Sequence, residues 1–341
     1  MTPTIKDIAA RLNLAPSTIS RALNNHPSIS ERVKLEVAAV AAALGYIPHT
    51  GAQMMHKHHS NLIGLVLPEI TNQVLAVVAK VLAERCARAG YQLVLAVSEY
   101  DETLEYRHVK ALRAARSAGL IISACASSNP RTVALLSNIP VVQISLRNPS
   151  VQADAVLFDD FGGLQSATGH LLDLGHRRIA FIGGPGDLEN ETRRREGYEA
   201  ALKGAGIPLD NSIIHQVSPH PEFGRAAVLR LLQDPMPPTA IVAAHSSLTL
   251  GIVEALHELG IHPPERLSLV GHGDLEWFKL WGAGITTVAH PVQAFADKAA
   301  ESLLQQVNAG ARSAECGSPP ASYLFESTLI VRGTTAPPAS H

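Results

Sequence analysis

Thr4-Ile-Lys-Asp-Ile-Ala-Ala-Arg-Leu-Asn-Leu-Ala-Pro-Ser-Thr-Ile-Ser-Arg-Ala-Leu-Asn-Asn25 decides the architecture of the N-terminal end. Ile5, Ile8, Ala9 and Leu12 recur at helical spacing and define one apolar face. Leu14, Ile19, Ala22 and Leu23 define the matching face of a second helix. The residues between them suffice only for a tight turn, and Pro16 suits the first position of a new helix. A pair built this way turns Ser17, Thr18, Ser20 and Arg21 outward. Small hydroxyls with one arginine suit a helix that enters a DNA major groove. A third helix is expected from about Ser30 to Leu44. Val33, Val37, Val40, Ala41 and Leu44 would complete the mini-core, with Ser28 or Ser30 as cap and Gly45 as stop.

A small three-helix domain that binds another protein has the same spacing, so charge must separate the two readings. Residues 1–60 carry six Lys or Arg against three Asp or Glu, a balance of +3; the remaining 281 residues carry 22 against 27, a balance of -5. A basic head on an acidic body suits a nucleic-acid reader joined to a sensing body. The overall charge of -2 hides that asymmetry.

From Ile63 onward, short apolar runs alternate with amphipathic stretches. Ten runs read as strands: 63–67, 91–97, 120–122, 141–144, 155–158, 179–182, 213–216, 240–243, 267–270 and 286–289. Helical stretches such as 74–89, 162–174, 193–205 and 248–259 lie between them. Strand–helix alternation on this scale predicts parallel, doubly wound sheets, and ten strands suggest two of them. No run of eighteen apolar residues is present, so no membrane span is expected. No signal-peptide pattern is read at the N-terminus, which fits a cytoplasmic protein. Cys86, Cys125 and Cys316 read as reduced thiols with no metal or disulfide role.

The chain resembles the lactose-repressor (LacI/GalR) family of bacterial transcription regulators. The residues that carry the resemblance are Thr4-Ile-Lys-Asp-Ile-Ala, Ser17-Thr-Ile-Ser-Arg-Ala-Leu-Asn-Asn25, Ile29-Ser-Glu, Leu44-Gly-Tyr-Ile-Pro48 and Asn61-Leu-Ile-Gly-Leu-Val-Leu-Pro, with His170-Leu-Leu-Asp-Leu-Gly-His-Arg-Arg-Ile-Ala-Phe-Ile-Gly-Gly-Pro185 and Leu267-Ser-Leu-Val-Gly-His further on. It implies an α/β protein with an all-α helix-turn-helix headpiece at residues 1–48 and a hinge helix or linker at 49–60. A two-lobed, periplasmic-binding-protein-like body at 61–341 would bind effector and dimerise. Lobe 1 would take 61–161 and about 290–322; lobe 2 would take 162–289 and about 323–336. Three crossings between lobes imply a hinge with a cleft at the carboxyl ends of the strands.

Family resemblance also implies the DNA-binding residues. Pro16, Ser17 and Arg21 take the base-reading positions, and Arg21 can donate two hydrogen bonds to a guanine. Pro16 offers only apolar contact. Thr18, Ser20, Asn24 and Asn25 take phosphate-holding positions. Ala15 stands where a capping serine is usual, at a cost of about 1 kcal/mol of helix-end stability. In the linker, Ala52 and Met55 align with the minor-groove contact and its apolar wedge, while Gly51 and Gln53 depart from the pattern. His56, His58 and His59 lie close in sequence, yet their spacing is a poor metal motif; solvated histidines near phosphate are the expectation.

For the effector, the resemblance points to Asn72, Ser145, Arg194, His245 and Gly273. Arg194 lies in Thr192-Arg-Arg-Arg-Glu-Gly-Tyr198, where Arg193 and Arg195 read as surface charges. Neutral-sugar members carry aspartates at the positions of Ser145 and Gly273, and often an asparagine at that of His245. Losing two carboxylates while keeping the arginine makes a cleft friendlier to an anion. Thr71-Asn-Gln-Val74 and Gly273-Asp-Leu-Glu276 also resemble the gluconate-repressor branch, so the expected effector is a sugar acid or another carbohydrate.

These readings predict a ligand-responsive regulator, acting as a homodimer on palindromic operator DNA, with no cofactor and no metal. A transport-type sugar-binding protein would lack the headpiece. An α/β enzyme could recruit Asp159, Asp160 or Asp274 as acid–base groups, but no nucleophile motif, metal spacing or cofactor loop accompanies them. Ile182-Gly-Gly-Pro-Gly186 lacks the spacing of a phosphate loop and reads as a tight turn at the cleft edge. The tail after Val331 has no heptad run that could build a tetramer.

Overall fold

The computed structural model describes residues 3–46, 59–309 and 319–339, and divides the chain into two compact units, 1–60 and 61–341. The linker residues Ala52, Met55, His56 and His58, like Cys316, lie outside the described residues.

Among the described residues of the first unit three helices form: α1 (Ile5–Leu12), α2 (Pro16–Leu23) and α3 (Glu31–Leu44). Thr4 caps α1, and its backbone N–H and hydroxyl both donate to Asp7 Oδ2, at 2.7 and 2.8 Å. Asn13 ends α1 in the left-handed conformation, and only Leu14 and Ala15 then separate it from α2. Ala15 is the N-cap of α2 and supplies no side-chain hydrogen bond, while Pro16 opens the helix without a donor to satisfy. Ser30 is the N-cap of α3, and Gly45, at φ +64°, ends it with Tyr46 N–H donating to Ala41 O. Ile8, Ile19 and Val37 are fully buried at the centre, and every apolar residue expected in this mini-core packs there.

The second unit holds two six-stranded sheets. The first runs β11 (Ser322–Phe325), β5 (Asp154–Phe158), β4 (Val141–Ile144), β3 (Gly119–Ile122), β1 (Leu62–Leu67) and β2 (Gln92–Val97), all parallel. The second runs β12 (Thr328–Ile330), β10 (Thr286–Ala289), β9 (Ser268–His272), β8 (Ala240–Ala243), β6 (Ile179–Gly183) and β7 (Ile214–Gln216). It is parallel except where β12 runs against β10. Each sheet has a core on both faces, the mark of a doubly wound layer. In β1, Ile63, Leu65 and Leu67 face one cluster and Val66 the other. In β8, Ile241 and Ala243 face one cluster and Ala240 and Val242 the other.

Helices α4 (Gln73–Arg88), α5 (Glu102–Ala114), α6 (Pro130–Leu136) and α11 (Val292–Ala309) flank the first sheet; α7 (Asp160–Asp173), α8 (Glu189–Gly204), α9 (Pro221–Leu232) and α10 (Ser246–Glu258) flank the second. The chain passes between lobes after β5, after β10 and between β11 and β12. The last crossing corrects the expected boundary. Residues 322–325 pair with β5 in the first lobe, so the second lobe resumes only with β12. Asp154 explains the placement: its Oδ1 accepts from Ala321 N–H at 2.9 Å, which starts β11 beside β5.

Among the described residues no helix is long and apolar enough to cross a membrane. Cys86 and Cys125 are buried and unpaired; burial pushes their thiols up to about 11 and about 12, so neither is a ready nucleophile.

Candidate functional sites: a headpiece helix and an interlobe cleft

On α2, Ile19 and Ala22 are buried against α1 and α3, Leu23 packs beside them, and the other residues of the helix turn outward. Pro16, Ser17 and Arg21 are exposed, Thr18 and Ser20 half-buried. Asn24, just past the helix, donates through Nδ2 to Ser20 O at 2.8 Å, and Asn25 takes a left-handed φ of +54°. Both are exposed. The expected base-reading and phosphate-holding residues therefore all reach solvent, on α2 or just past its end. Ala52 and Met55 lie outside the described residues, so this surface is that of the headpiece alone.

In the body, the carboxyl ends of the strands meet at a cleft between the lobes. Asn72, Ser145, Arg194 and His245 line it, as expected. Gly273 is not in the lining but touches it from behind: at φ +82°, a Cβ built on it would stand 3.2 Å from Val74 Cγ2, and Val74 lines the cleft. Asn72 is the N-cap of α4, accepting from Val74 N–H. Ser145 sits at φ +59° just past β4, and its buried hydroxyl has no hydrogen-bond partner among the described residues. His245, the N-cap of α10, accepts from Ser247 N–H through Nδ1 at 3.3 Å, which leaves the proton on Nε2. That Nε2 lies 3.6 Å from Glu69 Oε1, a contact from one lobe to the other. Burial, reinforced by the Arg194 charge, pushes the His245 imidazole down to about 3.

Arg194 departs from expectation in its charge balance. Helix α8 begins at Glu189, earlier than the periodicity suggests, and so includes Glu191 one turn before Arg194. Arg194 Nε donates to Asp160 Oδ1 at 2.7 Å, and Nη1 donates to Glu191 Oε1 at 2.5 Å and Ala244 O at 2.9 Å. The guanidinium is thus held by two buried carboxylates, and its charge is not surplus. Only Nη2 is left without a partner among the described residues. Glu191 Oε2 also accepts from Gly184 N–H at 2.7 Å. That bond pulls the Gly183–Gly184 turn against α8, where a Cβ at Gly184 would fall 2.6 Å from Glu191 Cδ. The glycine turn serves this carboxylate. Burial raises the Glu191 acid, and burial also raises Glu69, which accepts from Thr71, Asn72 and Tyr100.

Sequence reasoning missed the floor of the cleft. Asp160 at the start of α7, His272 at the end of β9 and His290 just past β10 all line it and come together at the crossings. His272 Nε2 lies 3.2 Å from His290 Nε2 and 3.7 Å from Asp160 Oδ1. His290 also stacks on Phe158 at 4.4 Å between ring centroids. Burial first, then neighbouring positive or imidazole groups, hold both histidines well below their ordinary values. The sequence weighed a metal only at His56, His58 and His59, whereas the body gathers its metal-type donors here. Asp160 was read only as an acid–base alternative. Its position at the carboxyl end of a strand was the available signal.

Comparison with known proteins adds the lineage. Residues 4–49 match the family described as bacterial regulatory proteins, lacI family, and residues 168–335 match the periplasmic binding protein-like domain. The chain is 30% identical to the HTH-type transcriptional regulator DegA of Bacillus subtilis, over 99% of each protein. The chain belongs to the LacI family. A further relative is the ribose operon repressor of Escherichia coli, 28% identical over 89% of this chain and 93% of that one. The fold matches the lac repressor dimer bound to operator and the anti-inducer ONPF, with a TM-score of 0.84 at 23% identity, covering 98% of this chain and all of that one. It also matches the CelR–cellobiose complex, with a TM-score of 0.71 at 24% identity, covering 98% of this chain and all of that one. This LacI-family protein is therefore a DNA-binding, ligand-responsive transcriptional regulator, and its relatives are regulators, not enzymes.

Proposed function

We propose that this regulator is a homodimeric cytoplasmic repressor of sugar-acid catabolic genes, released from or held on a palindromic operator by an aldonate-like effector. Pro16, Ser17 and Arg21 read bases. Thr18, Ser20, Asn24 and Asn25 hold phosphates. Ala52 and Met55 serve a hinge helix in the minor groove, with Met55 as the wedge.

The effector reading rests on the cleft's inventory. Asn72, Asn190, Tyr100 and three neutral imidazoles suit a polyhydroxylated ligand, and no carboxylate stands at positions 145 and 273. The observation that carries the acid group is the pair of unspent donors, Arg194 Nη2 and the Ser145 hydroxyl. An effector acts only through different affinities for two arrangements of the lobes. Selection of DNA fragments by the full-length protein, with and without D-gluconate, tests the proposal. One palindromic motif whose recovery changes with gluconate is expected; a motif that responds to neutral hexoses and ignores aldonates overturns the sugar-acid reading.

A further inference from the structure

We propose that Asp160, His272 and His290 form a binding site for one divalent first-row transition cation at the hinge of the body, and that the effector's carboxylate and adjacent hydroxyl complete its coordination from the cleft. The site itself stands on geometry; the effector's part in it rests on the sugar-acid reading above.

Spacing is the first argument. Two imidazole nitrogens bound to one ion at about 2.0–2.1 Å stand roughly 2.8–3.4 Å apart for octahedral or tetrahedral angles. The Nε2 atoms of His272 and His290 are 3.2 Å apart. One ligand atom from each of the three residues falls within 4.8 Å of the others. Two imidazoles and one carboxylate on one side, with the remaining positions open to a cleft, make a donor set suited to such cations.

Orientation is the second. His290 Nδ1 lies 2.9 Å from Ser327 Oγ. A hydrogen bond on the far nitrogen of a ligating histidine fixes its ring and tautomer, leaving the near nitrogen's lone pair for the ion. Asp160 gives Oδ1 to Arg194, and its Oδ2 has no partner among the described residues. Without an ion, the two facing Nε2 atoms can only share one proton between them.

Charge is the third. Asp160 and Glu191 both pair with the one guanidinium, so Arg194 can offer an entering carboxylate a hydrogen bond but no surplus positive charge, which a divalent ion would supply. The location adds a consequence. Asp160 follows the first crossing, His290 lies in the second, and its partner Ser327 lies in the third. One ion would thus tie the interlobe connections to the ligand.

The test uses full-length protein freed of metal by chelation and titrated with Co(II), reading visible absorption and calorimetry. One equivalent per chain is expected, unchanged when His56, His58 and His59 are all replaced by alanine and lost in His290→Gln. No binding by the wild-type protein, or binding that vanishes in the triple linker variant, overturns the site. Should His290→Gln not fold, the linker variant and the wild-type melting temperature decide: a Co(II)-dependent rise retained in the linker variant supports the site, and no rise overturns it. D-gluconate affinity should be at least tenfold higher with Co(II) than with chelator. Equal affinity overturns the bridging role. Bound Co(II) with no gluconate binding in either condition overturns the sugar-acid reading and leaves the cation site standing.

Discussion

Gly273 of the second lobe gives way to Val74 of the first: a Cβ at position 273 would stand 3.2 Å from Val74 Cγ2, on a backbone at φ +82°. The bare backbone at 273 lets α4 approach the end of β9. Gly273→Ala should cost about 1–2 kcal/mol from the left-handed conformation alone. The added methyl should also displace Val74, which lines the cleft, by a few tenths of an ångström. Calorimetry should show weaker effector binding by the variant. Unchanged affinity would mean the contact does not shape the cleft.

Arg194 and its two carboxylates form a buried set in which each member depends on the others. Arg194→Met keeps much of the volume but leaves Asp160 and Glu191 without their counter-charge. Breaking a buried pair typically costs about 3–5 kcal/mol. Urea denaturation should show a loss of that order, with effector response abolished. Glu191→Gln should cost less, since the amide oxygen can still accept from either Arg194 or Gly184 and only one of the two contacts is lost.

Arg21 is exposed on α2, and the apolar residues beside it carry the fold. Arg21→Ala should leave the melting temperature unchanged and lower discrimination between operator and mismatched DNA by about 1–3 kcal/mol. A competition assay at fixed salt reads this directly. A uniform loss on all sequences, with a shallower salt slope, would assign Arg21 to phosphate instead.

His245, His272 and His290 are held neutral in the folded body, below the ordinary value of 6.5. The unfolded chain takes up protons as pH falls through 6.5 while the folded body does not. Each histidine therefore removes stability below that pH, at up to about 1.4 kcal/mol per pH unit. For His245 the loss continues down to about 3. Glu69 and Glu191, with raised acids, act the opposite way nearer their own titration. Melting temperature should fall between pH 6.5 and 5.5, and His245→Asn should flatten that fall. A flat profile in the wild-type protein would contradict neutral burial of these rings.

The headpiece was legible almost residue by residue, because its two apolar faces are local and Asn13, Pro16 and Gly45 mark its turns. Most of the strands were equally plain, since short runs of three to seven mostly apolar residues bounded by polar turns leave little choice. Residues 322–330 were not. The lobe boundary was expected at about 322, and only the pairing of Ser322–Phe325 with β5 keeps these residues in the first lobe and splits the stretch between sheets. The cleft was half legible. Asn72, Ser145, Arg194 and His245 came from family position, whereas Asp160, His272 and His290 meet only because the ends of β5, β9 and β10 converge. Periodicity carries no information about that meeting. It also placed the start of α8 too late, which hid Glu191 and made Arg194 look like free charge.

Strands β11 and β12 are the last to be made, and each forms one margin of a different sheet. During synthesis the first lobe waits with an unfilled edge until residue 325 emerges, and the second until residue 330. A nascent chain stalled short of β11 holds two incomplete sheets rather than one finished lobe and one missing. Gene truncations meant to isolate either lobe should therefore yield insoluble fragments, and a separable half would need its distant strand spliced back by a designed linker.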